Sequence, residues 1–231
     1  MKGHEGEFWV IVDNMMNLEL LFRAHILSGN QTYYDMAVSH ANKTIQNHLR
    51  EDYSSCHVVA DNETTGEAVR MFTAQGYSDS SCWARGQAWL IHGFMSTYKY
   101  TKMSHFLEAA KHIVDYYMDN LPDDGIPFWD FRVPKDKYSY IPRDSSSAAI
   151  ASTALFQLYN NTKNNKYLLA AKTIMNSLAS RKYRADGKKE YKIPALIVNG
   201  TTGGPNAAKG KHDLALCYGD YYFVEALSYL D

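Results

Sequence analysis

The chain has 231 residues, enough for one sizeable core, and no shift in composition divides it, so a single domain over 1–231 is expected. Its formal net charge of −1, with no basic run, excludes the clustered Lys and Arg footprint of a nucleic-acid or membrane-surface partner. No apolar run reaches the roughly 18 residues of a membrane span, and neither the three cysteines nor the nine histidines have metal-site or disulfide-framework spacing, so no cofactor or metal is expected.

Taken in order, the chain begins with a polar stretch and a short apolar run, WVIV, too brief for the core of a signal peptide. Residues 14–27 read as a helix with Met16, Leu20 and Leu27 on one side, stopped at Gly29-Asn30. In the helix that follows, Tyr34, Val38, Ala41 and Ile45 stand at steps of four, three and four. The same steps recur at Phe106, Ala110, Ile113 and Tyr117, and again at Tyr167, Ala171, Ile174 and Leu178. Each later set follows another helical stretch, 84–98 or 145–159, after a short polar link, so the chain is built of helical hairpins. A last helix, 213–230, is apolar nearly all round apart from Asp220 and Glu225 and should be buried. The links 50–75, 120–144 and 181–211 are long and rich in Gly, Pro, Asp and Asn, which places functional loops on one face, with room for short strands at 56–60 and 193–198.

The densest chemistry lies in 75–89, QGYSDSSCWARGQAW, where a turn runs into a helix start and Asp79 or Ser80 is a candidate cap. Trp83, Arg85, Gln87 and Trp89 then fall within the first turns and can face one cavity. Flat aromatics, a guanidinium fork and amides suit an acidic sugar, offering stacking surface, a planar partner for a carboxylate and donors for hydroxyls. The alternative is that both tryptophans are core and Arg85 a surface ion pair. Asp13, between the apolar run and the first helix, is either an N-cap or a general acid whose carboxyl is kept protonated by an aromatic setting.

These stretches, with IVDNMMNLELL upstream and RDSSSAAIASTAL and YGDYYFVEAL downstream, closely resemble the unsaturated glucuronyl hydrolases of glycoside hydrolase family 88 over essentially the whole chain. The resemblance implies an all-α architecture of helical-hairpin repeats forming part of an (α/α)6 barrel, with about seven of its twelve helices present and the first helices lacking. It implies a substrate carrying a C4=C5 double bond in a terminal uronic acid, left by a polysaccharide lyase, and hydration of that vinyl ether. Asp13 falls on the family's catalytic Asp, while the second conserved Asp of the family lies upstream of Met1. His57 and Gln75 fall on substrate-contacting positions, Arg85 becomes the anchor near the uronate, and Trp83 and Trp89 become walls, with Gln87 beside them. The chain departs from the family's usual pattern at Ala74 and Ser80.

The Asp144-Ser145-Ser146 run matches a family signature and reads as a helix cap. The loop 200–212, GTTGGPNAAKGKH, carries Lys209 and Lys211. With Thr201, Thr202 and glycine-freed N–H groups these form either a small anion nest near the second sugar or a solvated linker. Rival functions are an unsaturated rhamnogalacturonyl hydrolase, an inactive sugar-binding fragment and a protein-binding solenoid. RGQAW disfavours the first, and the polar-aromatic cluster disfavours the last.

Overall fold

The computed structural model describes residues 6–136, 139–188, 194–203 and 211–230. Three helical hairpins and a single helix follow one another: α1 (Leu18–Ser28) with α2 (Gln31–His48), α3 (Ala84–Thr101) with α4 (Ser104–Asp119), α5 (Ser145–Thr162) with α6 (Asn165–Leu178), and α7 (Cys217–Leu227). The hairpin turns share one chemistry. Gly29, Lys102 and Lys163 each close a helix in the left-handed conformation, and in the first and third hairpins Asn30 and Asn164 then cap the next helix by accepting from Thr32 N and Lys166 N. Short connections of this kind leave no choice but antiparallel neighbours.

α3 and α5 are buried almost all round and pack on one another, with α1 and α7 on their far sides, so these four make an inner row against which α2, α4 and α6 lie as an outer layer. The spacing-derived faces of α4 and α6 are the buried ones: Phe106, Ala110, Ile113 and Tyr117, then Tyr167, Ala171, Ile174 and Leu178. In α2 only Ala41 of the expected set is fully buried, with Tyr34, Val38 and Ile45 packed at the core's margin.

Two expectations need correction. Residues Val12–Asn17 form a 3-10 turn, and α1 starts only at Leu18. Three residues per turn instead of 3.6 shifts the phase of everything downstream. Leu18 and Phe22 therefore face inward, while Leu20 and Leu27, expected inside, are exposed, Leu27 by 87%. In α7, Gly219, Phe223 and Ala226 are buried but Tyr221 and Val224 are more than half exposed, because the helix packs on α5 along one side only.

A small antiparallel sheet lies beside α2, in the order β1 (Glu7–Ile11), β2 (Val58–Asn62), β3 (Ala68–Phe72). β2 lies close to the strand expected at 56–60; of the other, 194–198 form only an isolated bridge, Arg184 with Ile197, and Ile193 lies outside the described residues. Ile11 pairs with Val58, and Val12 N donates to His57 O at 3.1 Å. This register sets Asp13, just past the end of β1, beside His57, just before the start of β2.

Candidate active site

Asp13 sits in the 3-10 turn, which has no side-chain cap, and α1 is preceded by Asn17, also without a side-chain cap bond. The capping role open to Asp13 is thus not taken up. Its side chain is 29% exposed, yet Oδ2 is inaccessible and has no hydrogen-bond partner. Burial raises the Asp13 carboxyl above its usual range, opposed in turn by its own backbone N–H, by the Arg85 guanidinium and by the Trp89 indole. The indole Nε1 lies close enough to favour the carboxylate but falls outside hydrogen-bond geometry, and like Oδ2 it is buried without a partner.

His57 Nε2 is 3.7 Å from Asp13 Oδ2. The ring is almost inaccessible and lies 4.3 Å from the Trp83 ring, and burial together with the nearby Arg85 and His48 pushes its pKa down to about 3, so the imidazole is neutral at neutral pH. Trp83 is the residue before the first turn of α3 and is pinned there by Ala84 N to Trp129 O at 3.0 Å and Phe131 N to Cys82 O at 2.9 Å. Neither Asp79 nor Ser80 caps α3. Asp79 Oδ1 accepts from Thr73 N at 2.9 Å and so shapes the preceding loop instead.

Arg85 lies in the buried first turn of α3, its guanidinium carbon 4.6 Å from the Trp83 ring and 5.1 Å from the Tyr218 ring. Nη1 donates to Asp144 Oδ2 at 2.5 Å and to Thr201 O at 2.6 Å, and Nη2 donates to Gln75 Oε1 at 3.0 Å. The guanidinium is therefore matched by a protein carboxylate, and its nearest effect is to fix Gln75 in place and to lend positive potential to Asp13. Asp144 does cap α5, accepting from Ser146 N at 3.2 Å, and it is at the same time the buried counter-ion of Arg85. Its motif, RDSSS, carried only the first of these roles on its face.

Gln87 points away from the other site residues. Its Oε1 accepts from Ser55 N at 2.8 Å, and its Nε2 donates to Tyr53 O at 2.8 Å and Ile113 O at 3.3 Å. With both ends of the amide used by the backbone, Gln87 is a bracket between the 53–55 turn and α4, a correction to its place among the ligand contacts. Trp89 packs on Tyr218 and Tyr222 of α7, at 6.0 and 5.6 Å between ring centroids, so the YGDYYF helix supplies a second aromatic wall that the motif's resemblance alone did not assign.

Thr201 ties the 200–212 loop to the site: it gives its carbonyl to Arg85, its hydroxyl to Arg143 O at 2.8 Å and its N–H to Asp144 Oδ1 at 3.4 Å. Thr202 and Lys211 pair with one another, through Thr202 N to Lys211 O at 2.8 Å and Lys211 N to Thr202 Oγ1 at 3.2 Å. Lys211 is exposed, whereas Lys209 lies outside the described residues. The threonine donors of the expected anion nest are thus spent inside the protein. Among the described residues no three His, Cys, Asp or Glu side chains gather as a metal-binding group, and no helix is long and apolar enough to cross a membrane. A cavity of about 510 Å³ lies between α2 and the sheet, but it shares no residue with the Asp13 cluster.

No protein-family model matches the chain. Over 96% of its length it is 44% identical to the unsaturated glucuronyl hydrolase of Formosa agariphila, and over 97% it is 32% identical to the unsaturated chondroitin disaccharide hydrolase of Streptococcus pneumoniae. It covers 54% and 56% of these proteins, so the chain spans about half the length of the curated relatives it matches. Among solved structures, an unsaturated glucuronyl hydrolase specific for heparin superposes with a TM-score of 0.90 at 38% identity, over 99% of this chain and 61% of that one. A variant of the Streptococcus agalactiae enzyme complexed with dGlcA-GalNAc6S superposes with a TM-score of 0.81 at 31% identity, over 95% of this chain and 58% of that one. Along nearly its whole length, in sequence and in fold alike, the chain is similar to unsaturated glucuronyl hydrolases, the group placed in glycoside hydrolase family 88.

Proposed function

We propose that this chain carries the proton-donating part of a glycosidase site that removes 4,5-unsaturated uronic acid from the ends of lyase-generated oligosaccharides of the glycosaminoglycan type. One observation carries the reading: Asp13 Oδ2 is buried, has no partner within hydrogen-bond geometry and belongs to a carboxyl whose pKa burial raises, between Trp89 and the His57–Trp83 pair. A carboxyl whose pKa is raised in this way is the kind of group that serves as a general acid.

Asp13 delivers its proton to C4 of the C4=C5 bond, and the positive charge that develops is shared between C5 and the ring oxygen. Water then adds at C5 and gives its proton to the Asp13 carboxylate, which restores the acid. The resulting hemiketal opens and the neighbouring sugar leaves. One carboxyl thus acts first as acid and then as base at the same face, so the separation rule for carboxylate pairs in ordinary glycosidases does not apply. The rings of Trp89 and Tyr218 supply stacking surface for the sugar, with Trp83 buried behind them against His57 and Arg85, and Gln75, held by Arg85, offers its remaining amide N–H groups to a hydroxyl or carboxylate. A sulfated second sugar, such as the similar Streptococcus agalactiae structure holds, would find the exposed ammonium of Lys211 as a partner of opposite charge.

The test is the loss of ultraviolet absorbance of unsaturated chondroitin, hyaluronan or heparin disaccharides, with Asp13→Asn as the control. Loss of an essential acid lowers the rate by about 10² to 10⁴, while disaccharide binding stays within a few fold. Retention of more than about a tenth of the activity in the Asn variant would remove Asp13 from this role.

A further inference from the structure

The ring nitrogens of His57 face different partners. Nδ1 lies 3.2 Å from Ala74 N and 3.3 Å from Gln75 N, both of which donate to it, and 3.3 Å from Thr73 Oγ1. The Thr73 oxygen already accepts from Gly76 N at 2.9 Å, which leaves its hydroxyl proton free for the imidazole. The turn is held in this shape from behind, by Thr73 N to Asp79 Oδ1 at 2.9 Å and Tyr77 N to Asp130 Oδ2 at 2.9 Å. Three donors therefore converge on one ring nitrogen. A nitrogen that accepts cannot carry a proton, and in a neutral imidazole the single proton must then sit on Nε2. That nitrogen is the one facing Asp13 Oδ2. The Trp83 ring, 4.3 Å from the imidazole, fixes the plane in which Nε2–H points.

We propose that the turn 73–76 is a tautomer lock on His57, keeping Nδ1 bare so that Nε2–H faces Asp13 and binds the carboxylate formed when Asp13 gives up its proton. The inference rests on the assignment of Asp13 as the acid. His57 is then a positioning residue, acting on the reaction through Asp13. At 3.7 Å the N–H leaves the protonated acid alone, and a closure of under an ångström gives a charge-assisted hydrogen bond to the anion. The donors around Nδ1 also oppose a second proton on the ring, consistent with its low basicity. His57 cannot compete with Asp13 as a proton source, and it favours the deprotonated state of Asp13 only once that state is formed.

The test is nitrogen-15 and carbon-13 NMR on the full chain, which needs no turnover. The His57 resonances, identified by their disappearance in His57→Gln, should show a bare Nδ1 and a protonated Nε2, unchanged between about pH 5 and 8. The Nε2–H resonance should move in Asp13→Asn. The titration of the Asp13 carboxyl should shift upward in His57→Leu and return toward wild type in His57→Gln, whose amide restores an N–H at the same reach. A proton on Nδ1, an imidazolium, or an Asp13 titration equal in the Leu and Gln variants would overturn the lock. If the tautomer is as described but Asp13→Asn still hydrates substrate, the lock stands and the assignment of Asp13 falls, so the two failures are distinct.

Discussion

Asp13 and the buried histidines impose opposite pH dependences on folding. The carboxyl of Asp13 has a raised pKa in the folded chain, so above its ordinary value of 3.8 the folded state holds a proton that the unfolded state has lost, and this residue costs stability as pH rises. Asp13→Asn should therefore raise the melting temperature at pH 7 while it removes turnover, with the gain shrinking in melts recorded at pH 4. Unchanged or lowered melting at pH 7 would show that the carboxylate is better solvated than its surroundings suggest. His48 and His57 behave in reverse. Burial lowers their pKa from 6.5 to about 4 and about 3 respectively, so between pH 6.5 and those values the unfolded imidazoles bind protons that the folded ones refuse. Their stabilisation is complete above 6.5 and is lost as pH falls through this window, by at most about 8 kcal/mol for the two together. Arg85 is the third residue whose environment decides its role. Removing it in Arg85→Met leaves Asp144 buried without its counter-ion, and denaturant melts should register a loss of about 3–5 kcal/mol.

Elements meet where glycines allow them to. On the face of α3 turned to the 3-10 turn, a Cβ added at Gly93 would lie 2.5 Å from Met15 Cβ, and one added at Gly86 would lie 3.1 Å from Val12 and 2.7 Å from the Trp83 ring. Both contacts bear on the segment that carries Asp13. Gly93→Ala must push the 3-10 turn away from α3, at about 1–3 kcal/mol of overpacking. Because backbone of Met15 is among the atoms met, the displacement reaches Asp13 two residues earlier. The expected signature is a destabilised chain whose Asp13–His57 coupling, read by NMR, is lost along with the stability. An Ala variant that melts like wild type and keeps that coupling would mean that the turn accommodates the methyl without moving. The sheet acts at the same scale: without the β1–β2 register, Asp13 and His57 would have no reason to meet.

At the scale of the whole molecule the inner row α1, α3, α5, α7 is covered by an outer helix at each of its first three members, while the apolar side chains Leu20, Ile26 and Leu27 of α1 and Tyr221, Val224 and Leu227 of α7 remain exposed. Three exposed apolar side chains on each end helix give those helices apolar faces available for association. The described chain is expected to bind an apolar dye such as ANS and to self-associate in a concentration-dependent way. Light scattering that reports a monomer, with no dye binding and a cooperative melt, would show that these faces are covered in solution.

Periodicity in the sequence determined the helical hairpins, their order and the buried faces of α4 and α6, because a helix's burial pattern is repeated every three to four residues and needs no knowledge of its neighbour. The motif 75–89 likewise marked where polar and aromatic groups concentrate, and resemblance singled out Asp13. What only the tertiary structure decided is which groups face each other. Gln87 and Arg85 lie in the same motif, yet one is consumed by the backbone of the 53–55 turn and the other by Asp144, a residue sixty positions away in round terms. The phase of α1 was lost at a 3-10 turn that no spacing announces, and the exposure of α7 depends on what packs beside it rather than on its own composition. Helix periodicity is a local property with a long signal. Hydrogen-bond partners and strand register are settled by single contacts between distant segments, where several partners of the same chemistry compete and only the folded geometry selects one.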